Sequence, residues 1–204
     1  MVNNSGGCFP AHSVITSKLK KYLEDLKEGD KVLAWNDKGD LEFTEVWART
    51  HHVINEKSDY IQLETTTKRL VLSHRHYVLV KTGEEKSEFK MAKDVQIGET
   101  LITMADDKTV IEEPVVNIDE VEEEGIYNVF TKSGRIIVNG IFCSTYAEVE
   151  PNLVHKTMAP FRTAYDLAPK CVMKKIMTPN KEGKPHLFKI GGDILKPIVS
   201  SVQN

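Results

Sequence analysis

Cys8 stands in the run Ser5-Gly6-Gly7-Cys8-Phe9-Pro10, and a thiol directly after a glycine can attack the carbonyl of its own upstream peptide bond. Glycine leaves that carbonyl open. The chemistry this suits is an N-to-S acyl shift, in which the Cys8 sulfur bonds the Gly7 carbonyl carbon and a thioester replaces the Gly7–Cys8 amide. At pH 7 a cysteine of ordinary pKa is only about 3% thiolate, so a neighbour must help it. Fixed intramolecular geometry supplies much of the rest, with effective molarities of roughly 10⁵ to 10⁸ M. The harder problem is expelling the amine, because an amide nitrogen leaves only when protonated.

A partner set lies about 65 residues on, in Leu70-Val71-Leu72-Ser73-His74-Arg75-His76-Tyr77-Val78-Leu79-Val80. Alternating apolar residues make the flanks strand, and the hydroxyl and imidazole of Ser73 and His76 interrupt them at a three-residue spacing. His76 is the candidate for delivering or sharing the proton, a role typically worth about 10² to 10⁴ in rate. Ser73 is the candidate for gripping the scissile amide and holding it distorted. His74 points to the opposite strand face and reads as a surface histidine.

These residues need a rigid β-framework, and the rest of the chain supplies one. Strands are expected near 31–35, 41–54, 59–65, 69–73, 76–81, 99–104, 109–121, 126–131, 135–139 and 141–148, with turns at Asn36-Asp37-Lys38-Gly39, Lys81-Thr82-Gly83 and Lys132-Ser133-Gly134. An internal duplication is visible. Residues 23–34 recur 69 positions later as 92–103, with Asp25 matching Asp94 and Gly29 matching Gly98; Leu63, Thr65 and Arg69 to Leu72 match Val129, Thr131 and Arg135 to Val138 at an offset of 66. Leu19, Tyr22, Leu23 and Leu26 give residues 17–26 a helical rhythm. From Glu148 the character changes: prolines break the strand pattern, and Leu187, Ile190, Ile194, Leu195 and Ile198 recur as on one helix face. The chain therefore divides into a stub (1–7), an all-β unit (8–147) and a partly helical apolar extension (148–204).

Bulk properties narrow the partners. The chain has 204 residues, 40% of them apolar and 28% charged, with a net charge of -3 and no basic cluster interleaved with aromatics. Nucleic acid is not an expected partner. The acidic stretch Asp119-Glu120-Val121-Glu122-Glu123-Glu124 reads as solvated turns or strand edges. Cysteines 8, 143 and 171 cannot all pair and fit no zinc template, so at least one thiol stays free, and no metal or other cofactor is expected. No apolar h-region or run of membrane-spanning length is present, and Met1 to Gly7 is read as the remnant of an upstream domain.

Taken together, "SGGCFP", "LEDLKEGDKVLAW", "LVLSHRHYVLV", "VNGIFCSTYA" and "MAPFRTAYDL" resemble the C-terminal autoprocessing domain of Hedgehog proteins, the Hog type of the Hint (Hedgehog/intein) superfamily. The resemblance covers Ser5 to about Tyr165 and, more weakly, continues to Val199. It implies an all-β Hint fold of two β-subdomains related by a pseudo-two-fold axis. It implies cleavage between Gly7 and Cys8 and transfer of the upstream acyl group to the 3β-hydroxyl of cholesterol or a related sterol. The family block is Thr-x-x-His, so Ser73 and His76 inherit those roles, with serine in place of threonine. Where the family carries an aspartate that activates the sterol, the register puts His51, with His52 one position away. A neutral imidazole can take a proton from an alcohol; His51 equally fits a domain that uses water or another acceptor. The family's Ser-Cys-Tyr is Cys143-Ser144-Thr145-Tyr146 here, with Thr145 at the usual cysteine position and Cys143 either shifted toward the site or buried in the core. Residues 152–162 and 186–199 resemble parts of the sterol-recognition region, implying a membrane surface as the source of sterol, or helices packed on the β-core. The parent protein is then expected in the secretory pathway.

Two other classes stay in view. An intein would also splice, but Val138-Asn139-Gly140-Ile141 lacks both the preceding histidine and an adjacent nucleophile. A non-catalytic module would keep the fold and bind a sterol or another lipid without breaking its chain.

Overall fold

The computed structural model describes residues 7–16, 21–84 and 86–169. The strands are β1 (Val14–Ile15), β2 (Lys21–Tyr22), β3 (Lys31–Trp35), β4 (Leu41–Thr65), β5 (Arg69–Leu72), β6 (His76–Lys81), β7 (Ser87–Met91), β8 (Thr100–Met104), β9 (Val110–Thr131), β10 (Arg135–Val138) and β11 (Ile141–Ala147), followed by helices α1 (Pro151–Thr157) and α2 (Ala159–Leu167). They form one antiparallel sheet system in the order β2-β1-β10-β11-β6-β8-β9-β4-β3, with β5 on β4 and β7 on β6.

The duplication is structural. Leu23–Asp25 and Ala92–Asp94 are single 3-10 turns, each followed by a glycine at positive φ, Gly29 at 94° and Gly98 at 90°. Gly29 N–H donates to Val46 O and Gly98 N–H to Val115 O, both at 2.8 Å, so the echo extends to residues 46 and 115. The two halves meet where β4 and β9 pair almost end to end. This crossing buries the principal core, which includes Phe9, Leu63, Leu72, Val129, Val138 and Cys143.

Several expectations are corrected. The strands expected at 41–54 and 59–65 are the single strand β4, and those expected at 109–121 and 126–131 the single strand β9, which begins at Val110. The acidic stretch 119–124 lies inside β9, laddered to β4 through pairs such as Lys57 with Glu124 and Asp59 with Glu122. The helical rhythm of residues 17–26 resolves, over its described part, into β2 and a 3-10 turn, because an i, i+3 spacing buries Leu23 and Leu26 as well as a helix would. β1 and β7 fall outside the expected strands. The apolar stretch 187–198 lies outside the described residues, as does Cys171. No helix among the described residues is long and apolar enough to cross a membrane.

Candidate active site

The segment after Cys8 is held as an extra half-strand on β9. Phe9 N–H donates to Tyr127 O at 2.8 Å, Tyr127 N–H to Phe9 O at 3.0 Å, and Ala11 N–H to Glu124 O at 3.0 Å. Gly125, at φ 88°, lets this segment come close, since a Cβ there would lie 2.4 Å from the Tyr127 ring and 3.2 Å from Ala11.

Residue 8 is clasped from both sides by residue 73. The Cys8 N–H, the nitrogen of the candidate scissile bond, donates to Ser73 Oγ at 3.0 Å, and Ser73 N–H donates back to Cys8 O at 2.9 Å. Both residues are buried. The turn from β5 into β6 then brings His76 underneath, its N–H donating to Ser73 O at 3.0 Å.

His76 is fully buried, with its ring centroid 4.3 Å from that of Phe9. Its Nε2 lies 2.8 Å from the Ser144 carbonyl. A carbonyl only accepts, so the proton is on Nε2 and Nδ1 carries the free lone pair. Nδ1 is buried with no hydrogen-bond partner among the described residues, and it lies 3.4 Å from the point where a side chain on Gly7 would begin. Burial pushes the His76 pKa down to about 4; the Ser144 bond opposes this and the neighbouring His51 reinforces it. The imidazole is therefore neutral at pH 7, with its basic nitrogen beside the Gly7–Cys8 junction.

Gly7 has no room for a side chain, since its Cβ would stand 1.8 Å from Ala147 Cβ. Ala147 pairs with His76, and the register between β11 and β6 slips between Cys143 and Ala147. This irregularity delivers the Ser144 carbonyl to His76 and the small Ala147 face to Gly7.

A second bulge re-aims β4. Arg49 pairs with Val129 but His51 with Asn128, so Thr50 is the extra residue. His51 stands close enough to His76 to depress its pKa, and its cross-strand neighbour Asn128 donates Nδ2–H to the Thr145 carbonyl at 3.2 Å. Thr145 is fully buried, and its hydroxyl has no hydrogen-bond partner among the described residues. His52 faces away: its ring lies edge-on to Tyr127 at 5.2 Å, and burial and Arg49 lower its pKa. Cys143 belongs to the core, opposite Ile136 and Val78, and burial pushes its thiol strongly up.

Gly7, Cys8, Ser73 and His76 thus come together, with His51, Thr145 and Asn128 on the adjoining strands. Asn128, Ser144 and Ala147 were not singled out by sequence. Ser144 acts through a backbone carbonyl that any residue would supply, so no side-chain signal marks it. Asn139, which an intein reading would require, is structural: it accepts from Val14 N–H at 2.7 Å and donates to Arg69 O at 3.0 Å. No group of three His, Cys, Asp or Glu able to hold a metal occurs among the described residues.

The described part of the extension docks on the same strands. Phe161 and Tyr165 of α2, with Ala168 just after it, pack around Trp47 and Ala48 of β4, and His155 of α1 hydrogen-bonds the Tyr146 hydroxyl of β11 at 3.0 Å.

A family model described as Hint module matches residues 1–189. The Tiggy-winkle hedgehog protein of Danio rerio is 30% identical over 171 residues, covering 80% of this chain and 41% of that protein. The sonic hedgehog protein of Xenopus laevis is 27% identical over 173 residues, covering 80% and 39%, and Warthog protein 6 of Caenorhabditis elegans is 29% identical over 140 residues, covering 67% and 23%. The chain spans about two fifths of the length of these two hedgehog proteins. Among solved structures, a DnaB intein from Synechocystis sp. PCC 6803 is similar at a TM-score of 0.58 and 17% identity, covering 70% of this chain and 99% of that one. An intein-like domain from Clostridium thermocellum gives 0.56 and 18%, covering 67% and 97%. These structures share the fold.

Proposed function

The chain belongs to the Hint module family and is related to the hedgehog proteins, and on that premise we propose that it is a self-acting domain that cuts its own backbone between Gly7 and Cys8 and passes the upstream acyl group to a sterol hydroxyl. The observation that carries the first half is the two-way clasp of Cys8 by Ser73, with the bare Nδ1 of a neutral, buried His76 beside Gly7.

In the first step the Cys8 thiol proton passes to His76 Nδ1 as sulfur bonds the Gly7 carbonyl carbon. The adduct collapses by C–N cleavage, and the same proton moves from Nδ1 to the departing nitrogen of Cys8. Thiol plus amide become thioester plus amine, with no net proton change. The Ser144 bond fixes the ring so that one nitrogen both takes and returns the proton. Ser73 Oγ holds the Cys8 N–H throughout and keeps the leaving nitrogen pointed at His76.

In the second step the acceptor hydroxyl gives its proton to His51, its oxygen attacks the thioester carbonyl, and the C–S bond breaks, returning the proton to sulfur. The sterol assignment is supported by the hedgehog relationship and by the aromatic side chains that α2 lays on β4 just before His51. The extension would meet a membrane surface to collect sterol, and Leu167, 81% exposed, is one apolar side chain at the end of α2. The upstream domain is the partner in cis, and the secretory pathway is the compartment in which such a parent would act. A second reading, release to water or another nucleophile, is favoured by His51 standing where the family carries aspartate.

Intact-mass measurement of the chain with dithiothreitol, with cholesterol in micelles and with neither tests this reading. Loss of residues 1–7 with both additives is expected. Cleavage with dithiothreitol alone would keep the first step and remove the sterol, whereas an intact chain throughout would leave a non-catalytic lipid-binding module.

A further inference from the structure

The turn that carries Ser73 and His76 is tied down at every residue. Besides Ser73 to Cys8 and His76 to Ser144, the His74 carbonyl accepts from Lys93 N–H at 2.9 Å and the Arg75 carbonyl from Glu148 N–H at 3.0 Å. These ties are backbone bonds or belong to the site itself. One more is made by side chains alone: His74 Nε2 meets Glu120 Oε2 at 2.7 Å. Leu72, the last residue before the turn, pairs with Ile61 of β4, and Ile61 pairs on its other edge with Glu120 of β9. The His74 side chain therefore reaches back across β4 and fastens the turn to the strand on which Phe9 is held. His74 lies in a recess lined by Asp59, Glu120, Val121 and Glu122, where Lys57 Nζ engages Glu122 at 2.7 Å.

We propose that His74 is a positioning residue for the first step, acting through Glu120 to hold Ser73 Oγ on the Cys8 amide. This rests on the autoprocessing reading and replaces the expectation that His74 is an idle surface histidine. A charge-assisted hydrogen bond to a carboxylate is stronger and more directional than a neutral one, and it bridges two elements whose relative placement decides the reaction geometry. The pair is 36% and 68% exposed, so its influence is limited by solvent. The expected loss for His74→Ala is about fivefold in the rate of dithiothreitol-induced cleavage, equal to about 1 kcal/mol at 1.36 kcal/mol per tenfold.

The test uses the full chain and two readouts. His74→Ala and Glu120→Ala should each slow cleavage by about fivefold, the double variant no more than either alone, and His74→Gln, which keeps a donor, should recover to within about twofold. Melting temperatures should stay close to the wild type. In the Cys8→Ala background, hydrogen exchange of the residue 8 amide should quicken in His74→Ala by a similar factor. Wild-type cleavage rates in His74→Ala with unchanged exchange, or additive losses in the double variant, would overturn the proposal. A wild-type chain that never cleaves would remove the autoprocessing reading, and the exchange measurement would then decide the positioning claim alone.

Discussion

Replacing Gly7 with alanine should slow thioester formation about a hundredfold, and removing the methyl group of Ala147 should return most of it. A Cβ on Gly7 would lie 1.8 Å from Ala147 Cβ, whereas carbon atoms rest at about 3.5–4.0 Å. Either the Gly7 backbone or β11 must yield by well over 1 Å. Overpacking of this kind typically costs about 1–3 kcal/mol in stability. A misplacement of about 1 Å at reacting atoms can cost on the order of 10² in rate. In the double variant Gly7→Ala with Ala147→Gly the nearest remaining atoms are Ala147 Cα at 3.2 Å and His76 Nδ1 at 3.4 Å, which a few tenths of an ångström relieve. The double variant should therefore cleave within about tenfold of wild type, and Ala147→Gly alone close to it. The assay is the rate of loss of residues 1–7 in dithiothreitol by intact mass, with thermal melts alongside. Wild-type cleavage by Gly7→Ala, or a double variant no faster than Gly7→Ala, would refute the account of why glycine precedes the thiol.

Ser73→Ala strands the buried Cys8 N–H, a loss of about 1–3 kcal/mol; cleavage should slow about tenfold or more by the same mass assay, while Ser73→Thr should stay within a few-fold. His76 has its pKa lowered from 6.5 to about 4 by burial, so above pH 6.5 it is neutral in both folded and unfolded chains and carries no penalty. As pH falls from about 6.5 to about 4 only the unfolded chain takes up the proton. Stability should then drop by on the order of 3 kcal/mol from this residue, and His155, lowered to about 4 mainly by burial, moves in the same direction. Urea unfolding at pH 7, 5.5 and 4.5 should show the decline, with a shallower slope in His76→Gln; identical slopes would contradict it. His51→Ala should leave dithiothreitol cleavage within about threefold and abolish the sterol adduct, with His51→Asp restoring it; loss of both reactions would place His51 in the first step instead.

Much of this architecture was legible because the duplication writes each half twice: the glycine turns at Gly29 and Gly98 and the strands after them match at a constant offset. What misled was local composition. Asn55-Glu56-Lys57-Ser58 and Glu122-Glu123-Glu124-Gly125 look like turns, yet they are the largely polar middle of β4 and β9, which stay paired through a bulge between Val53 and Lys57. β7 alternates only over Glu88-Phe89-Lys90-Met91, too short a stretch to mark a strand, and among the described residues it pairs β6. In the site, Cys8, Ser73 and His76 were readable as chemistry-bearing side chains at telling positions. The register favours His51 over His52 by a single position, and the bulge at Thr50 and the Tyr127 ring set the two on different neighbours. The Ser144 carbonyl, the Ala147 methyl and the His74–Glu120 tie depend on register between distant strands, which no local pattern encodes.

The most direct measurement is treatment of the intact chain with hydroxylamine at neutral pH, which traps a thioester as a hydroxamate. A hydroxamate of residues 1–7 and a chain beginning at Cys8 are expected, with neither product from Cys8→Ala and a strongly slowed reaction in His76→Ala. An unbroken wild-type chain, or equal cleavage in Cys8→Ala, would contradict this expectation.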